Sequence, residues 1–210
     1  KSISLQLRKE QKLDNALTAP RKLSSKFGVV ANVSVNKNDI DFFNTYPSAY
    51  INGNTMTRWV VYANTPLSTS IKKTLYPTLK KSITGLSERD AVNKILNFVQ
   101  TAFTYEYDDK VWGHDRAFFA AETLHYPYAD CEDRSILFAR LVRDLLNLDV
   151  VLIYYPGHLA TAVGFQETVN GDYLMYKNRR YTICDPTFTN APVGRTMTGM
   201  NNNEAQIIVL

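Results

Sequence analysis

Between Asp130 and Asp185 the chain lays out one helix followed by several apolar strands, and this order constrains the fold more than any other feature. In DCEDRSILFARLVRDLL, Asp130 is a good N-cap, and Asp133 stands three residues on, as in a capping box. Ile136, Leu137, Phe138, Leu141, Leu145 and Leu148 then recur at helical spacing, which predicts one buried face. DVVLIYYPG reads as a buried strand ending at Pro156-Gly157, just before a second apolar strand in HLATAVGF. YTICDP reads as a third strand, stopped by Pro186. The pattern predicts an α+β domain whose long helix packs on a sheet.

Three chemically distinctive residues sit at the ends of these elements. Cys131 falls in the first turn of the helix, His158 opens a strand and Asp185 closes one. A thiol, an imidazole and a carboxylate are the parts of a cysteine nucleophile, its base and the group that orients the base. Free N–H groups and the helix dipole favour thiolate at Cys131, and a charged His158 would add to this. Asp130, Glu132 and Asp133 act in the opposite sense, by like-charge repulsion. Side-chain directions decide which prevails.

Strand alternation adds two expectations. His158 shares a face with Ala160, Ala162 and Gly164, all small, so a helix could approach that face and bring its N-terminus near His158. Asp185 shares a face with Tyr181 and Ile183, whereas Cys184 points the other way and reads as a small buried hydrophobe.

The stretches ADCEDRSILFARLV, HLATAV and YTICDPT, in that order, resemble the core of the transglutaminase-like superfamily. TAFTYEYD followed by ETLHYPYADCEDRS resembles the approach to the Cys in bacterial members. The likeness spans roughly residues 86–190. It implies a relative of the papain-like cysteine protease fold: a helix with Cys at its N-terminus, packed on an antiparallel sheet that carries the His and the Asp. It further implies Cys131 as nucleophile, His158 as base and acid, Asp185 as orienter, and no cofactor. Two positions depart from the family pattern. Leu159 follows the His where an aromatic is common, and Asp130 precedes the Cys where a small residue is common. The second oxyanion donor is open among Gln100, Trp112, Tyr126 and Tyr128.

A chain of 210 residues fits one domain with a substantial extension. It can bury roughly 70% of its unfolded surface and so needs no disulfide framework. Two cysteines build none, and nothing has zinc spacing. His114 and His125 lie in loop-like sequence and read as surface or hydrogen-bonded residues. No run reaches the roughly 20 apolar residues of a membrane span. The charge is uneven: residues 1–26 carry +5 and the rest −1. A basic tail can touch nucleic acid or anionic lipid, but a solvated tail is the plainer reading, and the catalytic half has no basic stripe. No nucleic-acid partner is expected. The chain opens on Lys1, not Met, as a processed or trimmed product would; the compartment stays open, and an extracytoplasmic one is compatible with that start.

Residues 86–210 read as the catalytic core and 1–85 as an extension that packs on it, with 1–26 basic. In the extension, FGVVANVSV, FFNTYPSAYI and TRWVVYAN read as strands or irregular packing elements. LSTSIKKTLYPTLKKSI reads as a short helix interrupted at Pro77. Ser87 caps a helix with Val92, Ile95, Leu96, Val99 and Phe103 on one stripe. Residues 104–130 read as a long aromatic connection lining the cleft. Asn170-Gly171 signals a type I′ hairpin, and AQIIVL a final edge strand. The expected activity is acyl chemistry on an amide, hydrolytic or transferring, through a thioester on a protein or peptide substrate. A non-catalytic module binding peptide or glycan through Trp112, Phe118, Phe119, Tyr126 and Tyr128 is the alternative.

Overall fold

The computed structural model describes residues 16–46 and 56–210. Residues 1–15, which hold part of the basic excess of the first 26 residues, and the second half of FFNTYPSAYI lie outside the described residues. Helices and an antiparallel, curled sheet make an α+β architecture. The chain enters through a hairpin, β1 (Arg21–Ser24) and β2 (Val30–Val33). Four helices follow: α1 (Lys37–Asn44), α2 (Thr57–Asn64), α3 (Thr69–Ile83) and α4 (Glu88–Thr101). Short helices α5 (Asp108–Val111) and α6 (Ala120–His125) interrupt the aromatic connection. The long helix α7 (Cys131–Leu146) leads into β3 (Asp149–Tyr155), β4 (His158–Gly164), β5 (Tyr173–Tyr176), β6 (Arg179–Cys184) and β7 (Gln206–Val209). The five strands lie in the order β5-β6-β4-β3-β7, so β7 is an edge strand.

Pro156 and Gly157 form the two-residue turn between β3 and β4, pairing Tyr155 with His158. Gly157 has φ +79°, the left-handed conformation a Pro-Gly type II turn requires at its second position. His158 is therefore fixed by the hairpin as the first residue of a fully buried strand.

The helix α7 lies on the face that carries Leu159, Val163 and Cys184, and shares a core with Ile136, Leu137, Phe138 and Leu141. The expectation that it would lie on the Ala160/Ala162 face is thus wrong. The space those alanines leave is filled by Val151, Ile153, Tyr155, Tyr181 and Ile183, a separate apolar cluster topped by Met200 and Ala205. Cross-strand neighbours, not a helix, take up the room.

Several further expectations are corrected. TRWVVYAN is helix: Trp59, Tyr62 and Ala63 recur at helical spacing and are buried, and the helix packs on α7. The first three residues of FFNTYPSAYI end α1, which starts at the Asn36 cap. In both, burial of one helical stripe outweighs the strand preference of aromatic and β-branched residues. Pro77 does not interrupt α3. It is exposed, while Ile71, Leu75, Tyr76, Leu79 and Ile83 anchor the other face on both sides of it. The type I′ turn between β5 and β6 sits at Lys177-Asn178, with φ +47° and +61°, not at Asn170-Gly171. Gly171 instead abuts Gly194: a Cβ there would lie 2.4 Å from the Gly194 Cα.

Candidate functional site

Asp130 caps α7 by accepting from the Glu132 and Asp133 N–H groups at 3.1 and 3.4 Å. Asp133 answers by accepting from the Asp130 N–H (3.3 Å) and from the Phe118 N–H (2.8 Å). This box sets Cys131 as the first helical residue, and among the described residues its N–H donates no hydrogen bond. Arg134, buried at 2% exposure, locks the same turn to the end of α4 through the carbonyls of Gln100 (3.1 Å) and Phe103 (2.9 Å). Ser135 Oγ donates to the Leu159 carbonyl at 3.0 Å and fixes the helix against β4.

His158 and Asp185 are brought together at the strand ends, with Nε2 2.8 Å from Oδ2. Both are buried. The other carboxylate oxygen of Asp185 accepts from the N–H groups of Thr187 (2.8 Å) and Phe188 (3.1 Å), and Gln100 Nε2 holds the Asp185 carbonyl at 3.0 Å. With Nε2 committed to Asp185, Nδ1 is the nitrogen left for a second partner.

Cys131 and His158 line one cavity of about 410 Å³, together with Gly157 and Leu159. A Cys131–His158 hydrogen bond is not among those made by the described residues. Half-buried Cys131 has its thiol pushed well above its ordinary range, first by desolvation and then by Asp130, while the backbone N–H of Leu159 pulls it down. The contest between helix terminus and acidic neighbours thus goes to burial and the acids. Cys184 is fully buried and free, and its thiol too is raised by burial.

The rest of the lining was not legible as motif. Met56 is the residue before α2, Arg58 and Trp59 come from α2, Tyr105, Tyr107 and Asp115 from the aromatic connection, and Tyr154 from β3. Arg58 reaches Asp115 at 2.6 Å and Glu132 at 3.4 Å. The ends of the connection are closed by a bridge between Thr104 and Tyr128, which keeps Tyr105 beside α7. Burial and Cys131 hold the Tyr105 phenol well above its usual range, so it stays a donor at neutral pH.

None of the four residues considered as second oxyanion donor lines this cavity. Gln100 is spent on three carbonyls, of Asp185, Phe188 and Ala191. Trp112 and Tyr126 pack with Phe118 around the Arg116 guanidinium. Tyr128 is half-exposed and outside the lining. The connection borders the cleft through Tyr105, Tyr107, Asp115 and Asp130, while Trp112, Phe118 and Tyr126 form this cluster of their own.

Asp108, Asp130 and Glu132 bring carboxylate oxygens within 4.8 Å of one another beside Cys131. Such hard oxygen donors are the residues here that could hold a cation of the calcium or magnesium type. Their scatter over 25 positions of the sequence explains why no spacing pattern shows them. Desolvation first, and mutual repulsion second, push Asp130 up to about 6 and Glu132 up to about 8. Among the described residues no helix is long and apolar enough to cross a membrane. The chain matches no protein-family model and no curated protein.

Proposed function

We propose that this is a cysteine-dependent enzyme of the transglutaminase-like, papain-related type, acting on an amide through Cys131, His158 and Asp185. The observation that carries the reading is the His158–Asp185 pair opening on the same cavity as a cysteine at a helix N-terminus. Asp185 accepts a hydrogen bond from the Nε2–H of His158 and so leaves Nδ1 as the base. Cys131 Sγ attacks the carbonyl carbon as its proton passes to Nδ1. The Cys131 N–H, without a partner among the described residues, stabilises the oxyanion. Tyr105, beside the thiol, is the candidate for the second donor in place of the four residues weighed from sequence. Collapse of the intermediate breaks the C–N bond, and His158 returns the proton to the leaving amine. The thioester is then opened by water or by an amine. Because burial and Asp130 raise the thiol, the reaction starts from Cys131 as the thiol.

The raised thiol also favours a second reading, a non-catalytic module that binds peptide or glycan on the same architecture. Alkylation with iodoacetamide, read by mass spectrometry from about pH 6 to about pH 10, separates the two. An enzyme requires Cys131 to react at a rate that His158→Ala reduces, with buried Cys184 unmodified as the internal control. A folded protein whose Cys131 is inert across that range is the binding module.

A further inference from the structure

Gln100 stands in the last turn of α4 and is 3% exposed. It is not part of the lining of the Cys131 cavity, yet its main chain and its side chain reach both halves of the site. The last carbonyls of a helix have no partner within it. That of Gln100 accepts from Arg134 Nη1 at 3.1 Å, while Arg134 Nη2 donates to the Phe103 carbonyl at 2.9 Å. A cation placed there also answers the negative end of the helix dipole. Arg134 is one turn on from Cys131 in α7, so this clamp sets the helix of the nucleophile against α4. Ile95, Leu96 and Val99 of α4 share a core with Ile136 and Leu137 of α7 and keep the two helices packed.

The side chain of Gln100 acts on the other half. Asp185 lies one residue beyond the ladder of β6 with β4, whose last pair is Thr161 with Cys184. Strand pairing alone therefore does not place it. The turn that follows closes on itself: the Thr187 and Phe188 N–H groups donate to Asp185 Oδ1, and the Ala191 N–H donates to the Phe188 carbonyl at 2.9 Å. Gln100 Nε2 ties this turn to α4 through the carbonyls of Asp185 (3.0 Å), Phe188 (2.9 Å) and Ala191 (3.0 Å). Three carbonyl oxygens around one atom require that atom to be the amide nitrogen, which fixes the orientation of the group. All three acceptors are main-chain atoms, so the amide holds the path of the chain and not a mobile side chain.

We infer that Gln100 is the positioning residue of the site: its main-chain carbonyl holds the helix of Cys131, its side-chain amide holds the turn of Asp185, and so it fixes where Asp185 meets His158. That this placement serves catalysis rests on the proposed function; the placement itself does not. Without the amide, the carbonyls of Asp185 and Ala191 lose a donor in a buried setting. An unsatisfied buried acceptor is costly, so the turn shifts until other donors reach it. Asp185 moves with the turn, because its own carbonyl is one of the three, and its 2.8 Å contact with His158 Nε2 is lost.

The test compares the full chain with two variants. Gln100→Met keeps the length of the side chain and removes the amide. Ile71→Ala opens a cavity in α3, away from the site, and lowers stability through packing alone. Proton NMR reads the His158 Nε2–H, which a bond to a carboxylate moves downfield and shields from water. In Gln100→Met this signal should move upfield or vanish into exchange, and alkylation of Cys131 should slow towards the rate of His158→Ala. Ile71→Ala should keep both. Gln100→Asn, an amide one methylene short, gives the same reading should Gln100→Met fail to fold. Should neither fold, the parent chain decides on warming: the Gln100 NH2 protons and the His158 Nε2–H should open to exchange together. An unchanged His158 signal in a folded Gln100 variant, its equal loss in Ile71→Ala, or its loss on warming while the Gln100 NH2 stays protected would each overturn the proposal. Failure of the catalytic reading is a different result: Cys131 inert to alkylation in the parent chain, with the His158 signal still governed by Gln100.

Discussion

Glu132 is where acid–base chemistry and stability meet. Its carboxyl is pushed from an ordinary 4.5 up to about 8 by burial and by Asp130. The folded state therefore holds a proton that the unfolded chain gives up, and stability falls as pH rises between about 4.5 and about 8. Glu132→Gln should raise the melting temperature at pH 8 and leave it nearly unchanged at pH 4.5, a difference that calorimetry at the two pH values reads directly. The same substitution removes a charge that raises the Cys131 thiol, so alkylation of Cys131 should shift to lower pH. An unchanged alkylation profile would show that the acids do not control the thiol. Asp185→Asn keeps the Oδ1 acceptor for the Thr187 and Phe188 N–H groups, so the fold should survive. Activity on any amide substrate should drop by up to about 10⁴, the loss seen when another triad lost its acid. Equal activity would make Asp185 structural. At this scale Cys131, His158 and Asp185 could be picked out because each is a rare chemical type at the end of a strongly patterned element. Arg58, Trp59 and Tyr105 could not, because they are ordinary residues whose role comes from where distant segments bring them.

Elements with one strong pattern were the most legible. The capped helices α4 and α7 start at Ser87 and Asp130 as their sequences indicate, and β3, β4 and β6 follow from apolar runs bounded by Pro and Gly. Legibility failed where a local signal competed with tertiary packing. Pro77 is the clearest case: a residue that usually breaks helices sits within α3 because its ring faces solvent and the buried stripe holds both halves. Losing the helix bond at Pro77 still has a cost. Pro77→Ala should therefore stabilise the protein, by about 1–3 kcal/mol, which chemical denaturation would report. No gain would mean that α3 is bent to accommodate its neighbours. The Asn170-Gly171 signal misled for a different reason. Gly171 is required by the close approach of Gly194, whereas the hairpin turn falls to Lys177-Asn178. Both residues of that turn are left-handed, which costs a lysine roughly 1–2 kcal/mol. Lys177→Gly should recover part of that cost, with denaturation again the measurement.

At the scale of the whole molecule, the boundary drawn near residue 86 divides a chain whose core does not divide there. Leu23, Val33, Trp59, Ile71 and Leu79 belong to the same apolar cluster as Val92, Ile136 and Leu152. β2 packs on α3, α3 on α4, α2 on α7 and α1 on α6. The first part also supplies the cavity beside Cys131 with Met56, Arg58 and Trp59. Sequence could show that this part was too apolar for a solvated linker, but not which helix it would cover, since that depends on contacts between residues far apart in the chain. Removing residues 1–85 would bare the faces of α4, α6 and α7 and leave Glu132 without Arg58. Residues 86–210 alone should therefore aggregate, or stay soluble only as a loosely packed state that binds an apolar dye. The full chain carrying Arg58→Met separates the two roles of the extension. It should keep the fold and change the pH profile of Cys131 alkylation, because one cation leaves an acidic cavity. A soluble fragment of residues 86–210 with an unchanged melting temperature and an unchanged Cys131 profile would show that the first part of the chain supports neither the core nor the site.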